Sequence, residues 1–68
     1  MRQIDKRISK NELFDALNEM RYHKTIVFIE RCEIEEDSKD FSVSTIKDVA
    51  FSMLDKDLER ELYRKLNI

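Results

Sequence analysis

The segment TIVFIERCEI, residues 25–34, determines how the rest of the sequence is interpreted. Its residues Ile26, Val27, Phe28 and Ile29 form the only run of four consecutive apolar side chains in the chain. A run this short, rich in β-branched and aromatic residues, is typical of a strand that is buried on both faces of a sheet. The sequence therefore predicts a central strand over residues 25–34.

Before this segment, the sequence predicts a short edge strand and a helix. Residues 2–8 alternate weakly between apolar and charged side chains, which fits an edge strand. Ser9 followed by Glu12 is a capping box, and the apolar residues after it recur at helical spacing. We expect the first helix to cover residues 10–22.

After the central segment, polar residues 36–40 are expected to form a hairpin loop, and residues 41–44 a second strand antiparallel to the first. Residues 45–54 fit either a helix or two short strands. The strand alternative needs a tight turn at Lys47 and Asp48, where the backbone normally requires Gly or Asn. The sequence contains no Gly, so the helix is favoured.

The last segment is predicted to be a separate helix. Leu58, Leu62 and Leu66 form one apolar stripe that a straight continuation of the preceding helix could not bury. We therefore expect a break near Leu54 and Asp55, with Asp55 as the N-cap. If residues 45–54 were strands, the order of elements would resemble the double-stranded RNA-binding domain. The acidic start of this helix, DKDLE, would repel phosphate and argues against that family.

These elements predict a single α+β domain over residues 1–68, with an N-terminal helix, an antiparallel sheet of two or three strands and two C-terminal helices. The chain has no Gly, which excludes Gly-rich phosphate-binding loops. One Cys and one His cannot form an internal disulfide or a four-ligand zinc site. No apolar run approaches the roughly 20 residues that span a bilayer, so we expect a cytoplasmic protein without membrane contact.

Catalysis is not expected from this sequence. Cys32 and His23 are the only candidates for a nucleophile and its base, and no third residue stands at a spacing that would orient the imidazole. The acidic stretch lacks the Gly and the ligand spacing of a calcium loop. We therefore expect no catalytic residues, no cofactor and no metal.

The charges are unevenly distributed, although the net charge is only −2. Residues 1–11 carry a net charge of +3, and residues 30–40 carry −4. The candidate partner-binding residues in the acidic stretch are Glu33, Glu35, Glu36, Asp37 and Asp40. The candidate nucleic-acid face consists of Arg2, Lys6, Arg7, Lys10, Arg21 and Lys24.

This pattern favours a small regulatory or inhibitory protein that binds another protein through its acidic loop. A phage or another mobile element is a fitting source for such a small domain. One alternative is a nucleic-acid-binding regulator that uses the basic segment. Another is a homodimer that pairs through its edge strand or its C-terminal helix.

Overall fold

The computed structural model describes residues 6–68, which form two short strands and four helices. In chain order these are β1 (Arg7–Ser9), α1 (Lys10–Glu19), α2 (Thr25–Glu35), β2 (Asp40–Ser42), α3 (Val43–Ser52) and α4 (Lys56–Leu66). The strands pair antiparallel. The predicted class, a small α+β domain with an antiparallel sheet, is therefore confirmed.

The two halves of the chain repeat one plan: a three-residue strand, a ten-residue helix, a turn and an eleven-residue helix. Ser9 is the N-cap of α1 and accepts a hydrogen bond from the Glu12 amide at 3.1 Å. Ser42 caps α3 in the same way, accepting from the Thr45 amide at 3.2 Å. The same N-cap chemistry therefore starts the first helix of each half.

The first helix of each half also ends in the same way. Met20 and Met53 are the C-caps, and the next residues, Arg21 and Leu54, have positive φ angles of 56° and 58°. A left-handed residue commonly ends a helix, and Gly usually occupies that position. In a chain without Gly, an arginine and a leucine adopt this conformation instead.

The sheet joins the two halves through a pair of buried residues. Ile8 lies opposite Phe41, and both side chains are completely buried. The Lys10 amide also donates to the Lys39 carbonyl at 3.0 Å, which fixes the start of α1 beside β2. The edge strand predicted over residues 2–8 is observed as β1 at its C-terminal end, and residues 2–5 of that prediction lie outside the described residues.

The predicted central strand is wrong, because residues 25–35 form helix α2. The inner face of this helix consists of Thr25, Phe28, Ile29 and Cys32, at the i, i+3, i+4, i+7 spacing of a buried helical stripe. Ile26 and Val27 belong to the same apolar run but lie on the outer side. The four residues of the run point in different directions around the helix, two toward the core and two toward the outer side. A continuous apolar run therefore does not require a strand that is covered on two faces.

The second predicted strand is also partly wrong. β2 covers Asp40–Ser42, and Val43 already begins α3. Since no central strand exists, β2 pairs with β1 instead. The favoured helix over residues 45–54 is confirmed as α3, although it starts two residues earlier, with Ser42 as its cap.

The remaining helix predictions are confirmed, with one change of boundary. α1 begins at Lys10 as expected, but it ends at Glu19 and does not reach Tyr22, because the chain turns at Arg21. The break before the last helix occurs at the predicted place, and Asp55 accepts from the Leu58 amide at 3.1 Å.

The core includes side chains from all six elements. Its completely buried members are Ile8, Leu13, Leu17, Phe28, Cys32, Phe41, Ile46, Ala50 and Leu62. The predicted apolar stripe of α4 is confirmed, because its three leucines are all buried. Among residues 6–68, no helix has the length and apolar character needed to span a membrane.

Candidate functional site

The structure does not bring Cys32 and His23 together as a catalytic pair. Cys32 is completely buried on the inner face of α2, and burial, followed by the neighbouring carboxylate of Glu33, raises its pKa to about 12. At neutral pH the thiol is therefore protonated and a poor nucleophile. His23 lies in the exposed turn before α2, where its ring packs against Tyr22 with the ring centroids 5.5 Å apart.

The acidic and basic residues singled out in the sequence largely bind each other. The Arg7 guanidinium donates to Glu36 at 2.8 Å and to Asp40 at 2.7 Å. Lys10 forms a further salt bridge with Glu33. Two of the basic candidates thus neutralise three of the acidic ones at the end of the molecule that carries the sheet.

Glu36 has a structural role that the sequence did not indicate. Its other carboxylate oxygen accepts a hydrogen bond from the Ser42 amide at 2.9 Å, next to the start of α3. This backbone hydrogen bond, together with contacts to Thr45 and Arg7, holds the pKa of Glu36 below its usual range. The segment predicted as a solvated loop is therefore partly an anchor between α2 and β2.

Two of the acidic candidates remain exposed. Glu35 lies in the last turn of α2 and Asp37 just beyond it. Among residues 6–68, neither side chain makes an ion pair. These two candidates are therefore accessible to a partner without breaking an ion pair of the described residues.

The basic residues do not form one continuous face. Lys6 donates to the Leu66 carbonyl at 3.0 Å, near the sheet. Arg21 and Lys24 lie beyond the opposite end of α1, a helix about 15 Å long by its residue count. Arg2 lies outside the described residues. The basic residues that the structure describes are therefore divided between the two ends of the domain.

Exposed apolar side chains are concentrated on helix α2. Six large apolar residues are exposed among the described residues: Phe14, Ile26, Val27, Ile34, Phe51 and Leu54. Three of them belong to α2, where the exposed fraction is 59% for Ile26, 40% for Val27 and 82% for Ile34. We refer to these three residues, with the exposed Glu30 and Arg31, as the outward face of α2.

The outward face lies opposite the core. At 100° per residue, Ile26, Val27, Glu30 and Ile34 fall within a sector of roughly 100°, on the side of the helix away from Phe28 and Cys32. Helix α2 thus presents apolar side chains in two directions. The core covers one of them, and the other is open to solvent.

A shallow groove borders this face on the side of α3. It has a volume of about 360 Å³, and its lining residues are Arg31, Ile34, Glu35, Asp48, Val49 and Ser52. Arg31 donates to the Ser52 hydroxyl at 3.3 Å across the groove. The groove extends the accessible surface around Ile34 without enclosing it.

Sequence reasoning missed this face because it assigned the apolar run to a buried strand. The signal that would have found it is helical: Val27 and Ile34 are seven residues apart and Glu30 lies between them, so the three share one side of a helix. The inner stripe of the same helix was equally readable from Thr25, Phe28 and Cys32.

Comparison of the chain with protein-family models, with curated proteins and with solved structures finds no match.

Proposed function

We propose that this chain is a small non-enzymatic regulatory protein that acts by binding another protein, and that the outward face of α2 is its contact surface. The observation that carries the proposal is the exposure of Ile26, Val27 and Ile34 on one side of a single helix. Apolar side chains on two sides of one helix are normally covered on both sides. In this domain the core covers one side of α2, and the other side is exposed.

The energetics favour a partner at this face. Burying one large aliphatic side chain contributes about 1.5–3 kcal/mol, so three of them offer several kcal/mol to an interface before the costs of association. Glu30 and Arg31 between them supply charged groups of both signs for orientation. This combination of apolar anchors and a few polar groups is typical of protein interfaces.

The other hypotheses have weaker support. The sequence favours the acidic stretch as the contact. Three of its candidates, Glu33, Glu36 and Asp40, form salt bridges with Lys10 and Arg7. The exposed Glu35 and Asp37 flank the outward face and fit a role at its edge. The basic candidates for nucleic-acid binding that the structure describes are divided between two ends of the domain, and the net charge of the chain is negative.

The absence of catalysis and the cytoplasmic location belong to the same proposal. A buried thiol with a raised pKa and an exposed His without an orienting partner do not support a nucleophilic mechanism. The lone cysteine suits a reducing compartment, in which thiols stay reduced.

Site-specific crosslinking in the native cells tests the proposal. The photo-crosslinking amino acid p-benzoylphenylalanine is placed at position 34 in the full chain. The matched control carries it at position 51, where Phe51 is also apolar and 70% exposed but belongs to α3. We expect irradiation to give a discrete protein adduct from position 34 and none from position 51.

Either of two results would contradict the proposal. No adduct from position 34, or equal adducts from both positions, would show that the outward face of α2 is not a specific contact. The mass of the adduct, less the mass of this chain, gives the mass of the crosslinked protein.

A further inference from the structure

We infer that the protein covering the outward face of α2 is a second copy of this chain, with the two α2 helices packed antiparallel across a twofold axis. The inference rests on the proposed function and names its partner. It is carried by the order of charges along the exposed side of α2, which is complementary to itself when reversed.

The complementarity follows from simple geometry. In an antiparallel pair related by a twofold axis, residues at equal distances on either side of the crossing point face each other. When the helices cross midway between Glu30 and Arg31, Val27 faces the partner's Ile34. Val27 and Ile34 then meet on both sides of the axis, whereas Ile26 lies opposite the partner's Glu35 at the edge of the contact.

The charges in this register are also matched. Glu30 faces the partner's Arg31, and the symmetry repeats this pair, so the interface gains two Glu–Arg contacts. Lys24, the N-cap of α2, and the partner's Asp37, two residues beyond the helix, stand at equal sequence distances from the crossing point, so opposite charges also lie toward each end of the contact. A parallel arrangement would place each charge beside its own copy, and like charges in contact disfavour it.

The groups needed for this pairing are available. Lys24, Glu30, Arg31 and Asp37 are all exposed, and none of them forms an ion pair among the described residues. Arg31 donates a hydrogen bond to the neutral hydroxyl of Ser52, which leaves its charge unpaired. The face is therefore accessible. Along its central part, the order of apolar residues and the order of charges are each complementary to their own reversed order.

The size of the interface sets the expected affinity. An eleven-residue helix is about 16 Å long, so a crossing of two such helices buries less than a standard interface. We expect a dissociation constant of the order of micromolar, which is typical of reversible association. The domain would then be monomeric when dilute and dimeric when concentrated.

Sedimentation equilibrium of the full chain, from about 5 µM to about 500 µM, tests the inference across that range. Glu30→Arg and Arg31→Glu each bring like charges together twice, so we expect each to weaken the dimer at least tenfold. The double variant restores both attractive pairs, and its dissociation constant should return to within about threefold of the unmodified chain.

An apolar pair of variants completes the test. Ile34→Ser should weaken the dimer at least tenfold because it removes two apolar contacts by symmetry. Phe51→Ser changes a 70% exposed apolar residue on α3 and should leave the dissociation constant unchanged. Thermal unfolding of each variant verifies that the monomer is folded.

Rescue by the double variant supports the inference directly, since only an antiparallel symmetric register restores both pairs. The inference is overturned if the chain remains monomeric at about 500 µM, if the double variant is no tighter than the single variants, or if Phe51→Ser weakens the dimer as much as Ile34→Ser. If the chain is monomeric and position 34 crosslinks to a different protein, the proposed function stands and this inference fails. If position 34 gives no adduct, the proposed function fails too.

Discussion

Helices α2 and α4 occupy equivalent places in the two halves of the molecule, but their surfaces differ. Both have eleven residues and bury one apolar stripe. In α4 the exposed positions are all charged, Asp55 caps the start, and Asn67 at φ 58° ends the helix. In α2 the cap position is Lys24 without a side-chain hydrogen bond, and three of the five residues of the outward face are apolar.

The difference shows where stability alone explains the sequence and where it does not. The cap, the buried stripe and the charged exposed positions of α4 follow the rules for a solvent-exposed amphipathic helix. The outward side of α2 departs from them, because three of its large apolar side chains remain 40–82% exposed in the isolated domain. Such departures mark the places where a second requirement acts on the sequence, and the association proposed above is such a requirement.

The largest expected effect separates the two faces of α2. Phe28→Ala removes a completely buried aromatic side chain and should cost about 3–5 kcal/mol, enough to unfold much of the population. Ile34→Ser changes an 82% exposed side chain and should alter the stability of the dilute monomer by no more than about 0.5 kcal/mol. Urea unfolding at low protein concentration measures both values. Comparable losses from the two variants would mean that the outward face is buried in the monomer.

This contrast also explains what the sequence predicted and what it did not. The elements with one apolar stripe and a clear cap, α1 and α4, were predicted with correct starts because local spacing and burial agree. The strand prediction for residues 25–34 assumes that every apolar residue of the run is buried. Half of that run, Ile26 and Val27, lies on the exposed side of α2, where burial in the monomer does not account for it.

The candidate site was predictable only in part for a related reason. The sequence showed that residues 1–11 are basic and residues 30–40 acidic, but it did not show that they face each other. That proximity depends on β1 pairing with β2, which places Arg7 beside Glu36 and Asp40. The pairing of two three-residue strands that are far apart in the sequence leaves little local signal. The sequence therefore predicts two separate regions of opposite charge and not the ion pairs between them.

A smaller effect is expected in the turns that precede α2 and α4. Leu54 adopts a positive φ of 58° with an 86% exposed side chain, a conformation that costs a non-glycine residue roughly 1–2 kcal/mol. Leu54→Gly should therefore stabilise the domain by about 1 kcal/mol, and Arg21→Gly should do the same in the equivalent turn. Thermal unfolding measures the gain.

A matched control distinguishes relief of the turn from a general effect of glycine. Phe51→Gly lies three residues earlier, within the helical part of α3, and should lose about 1 kcal/mol. If Leu54→Gly also destabilises the domain, Leu54 makes contacts that outweigh the cost of its backbone conformation.

The smallest expected effect concerns the different C-terminal ends of α2 and α4. Just after α2, the hydrogen bond from the Ser42 amide lowers the pKa of Glu36, so the charged form is favoured in the folded state. The resulting stability is present above the ordinary glutamate range and is lost as the pH falls through the lowered pKa. Glu36→Gln should therefore be less stable than the unmodified chain at pH 7, and the difference should shrink toward acid pH.

Thermal unfolding between pH 7 and pH 3 measures this dependence. Glu35→Gln removes the same charge one residue earlier, from a side chain without an ion pair among the described residues, and is the matched control for the loss of charge. A profile for Glu36→Gln that runs parallel to that of the unmodified chain would show that this carboxylate does not anchor β2.

The buried Cys32 allows the opening of α2 to be followed by the rate at which its thiol is alkylated. Its thiol is fully covered and, with a pKa of about 12, almost entirely protonated at neutral pH, so an alkylating reagent reacts only with molecules in which the helix has moved away from the core. The labelling rate of the single cysteine thus reports the fraction of molecules that are open at any moment. An association that holds α2 in place should slow that rate, and dilution should restore it.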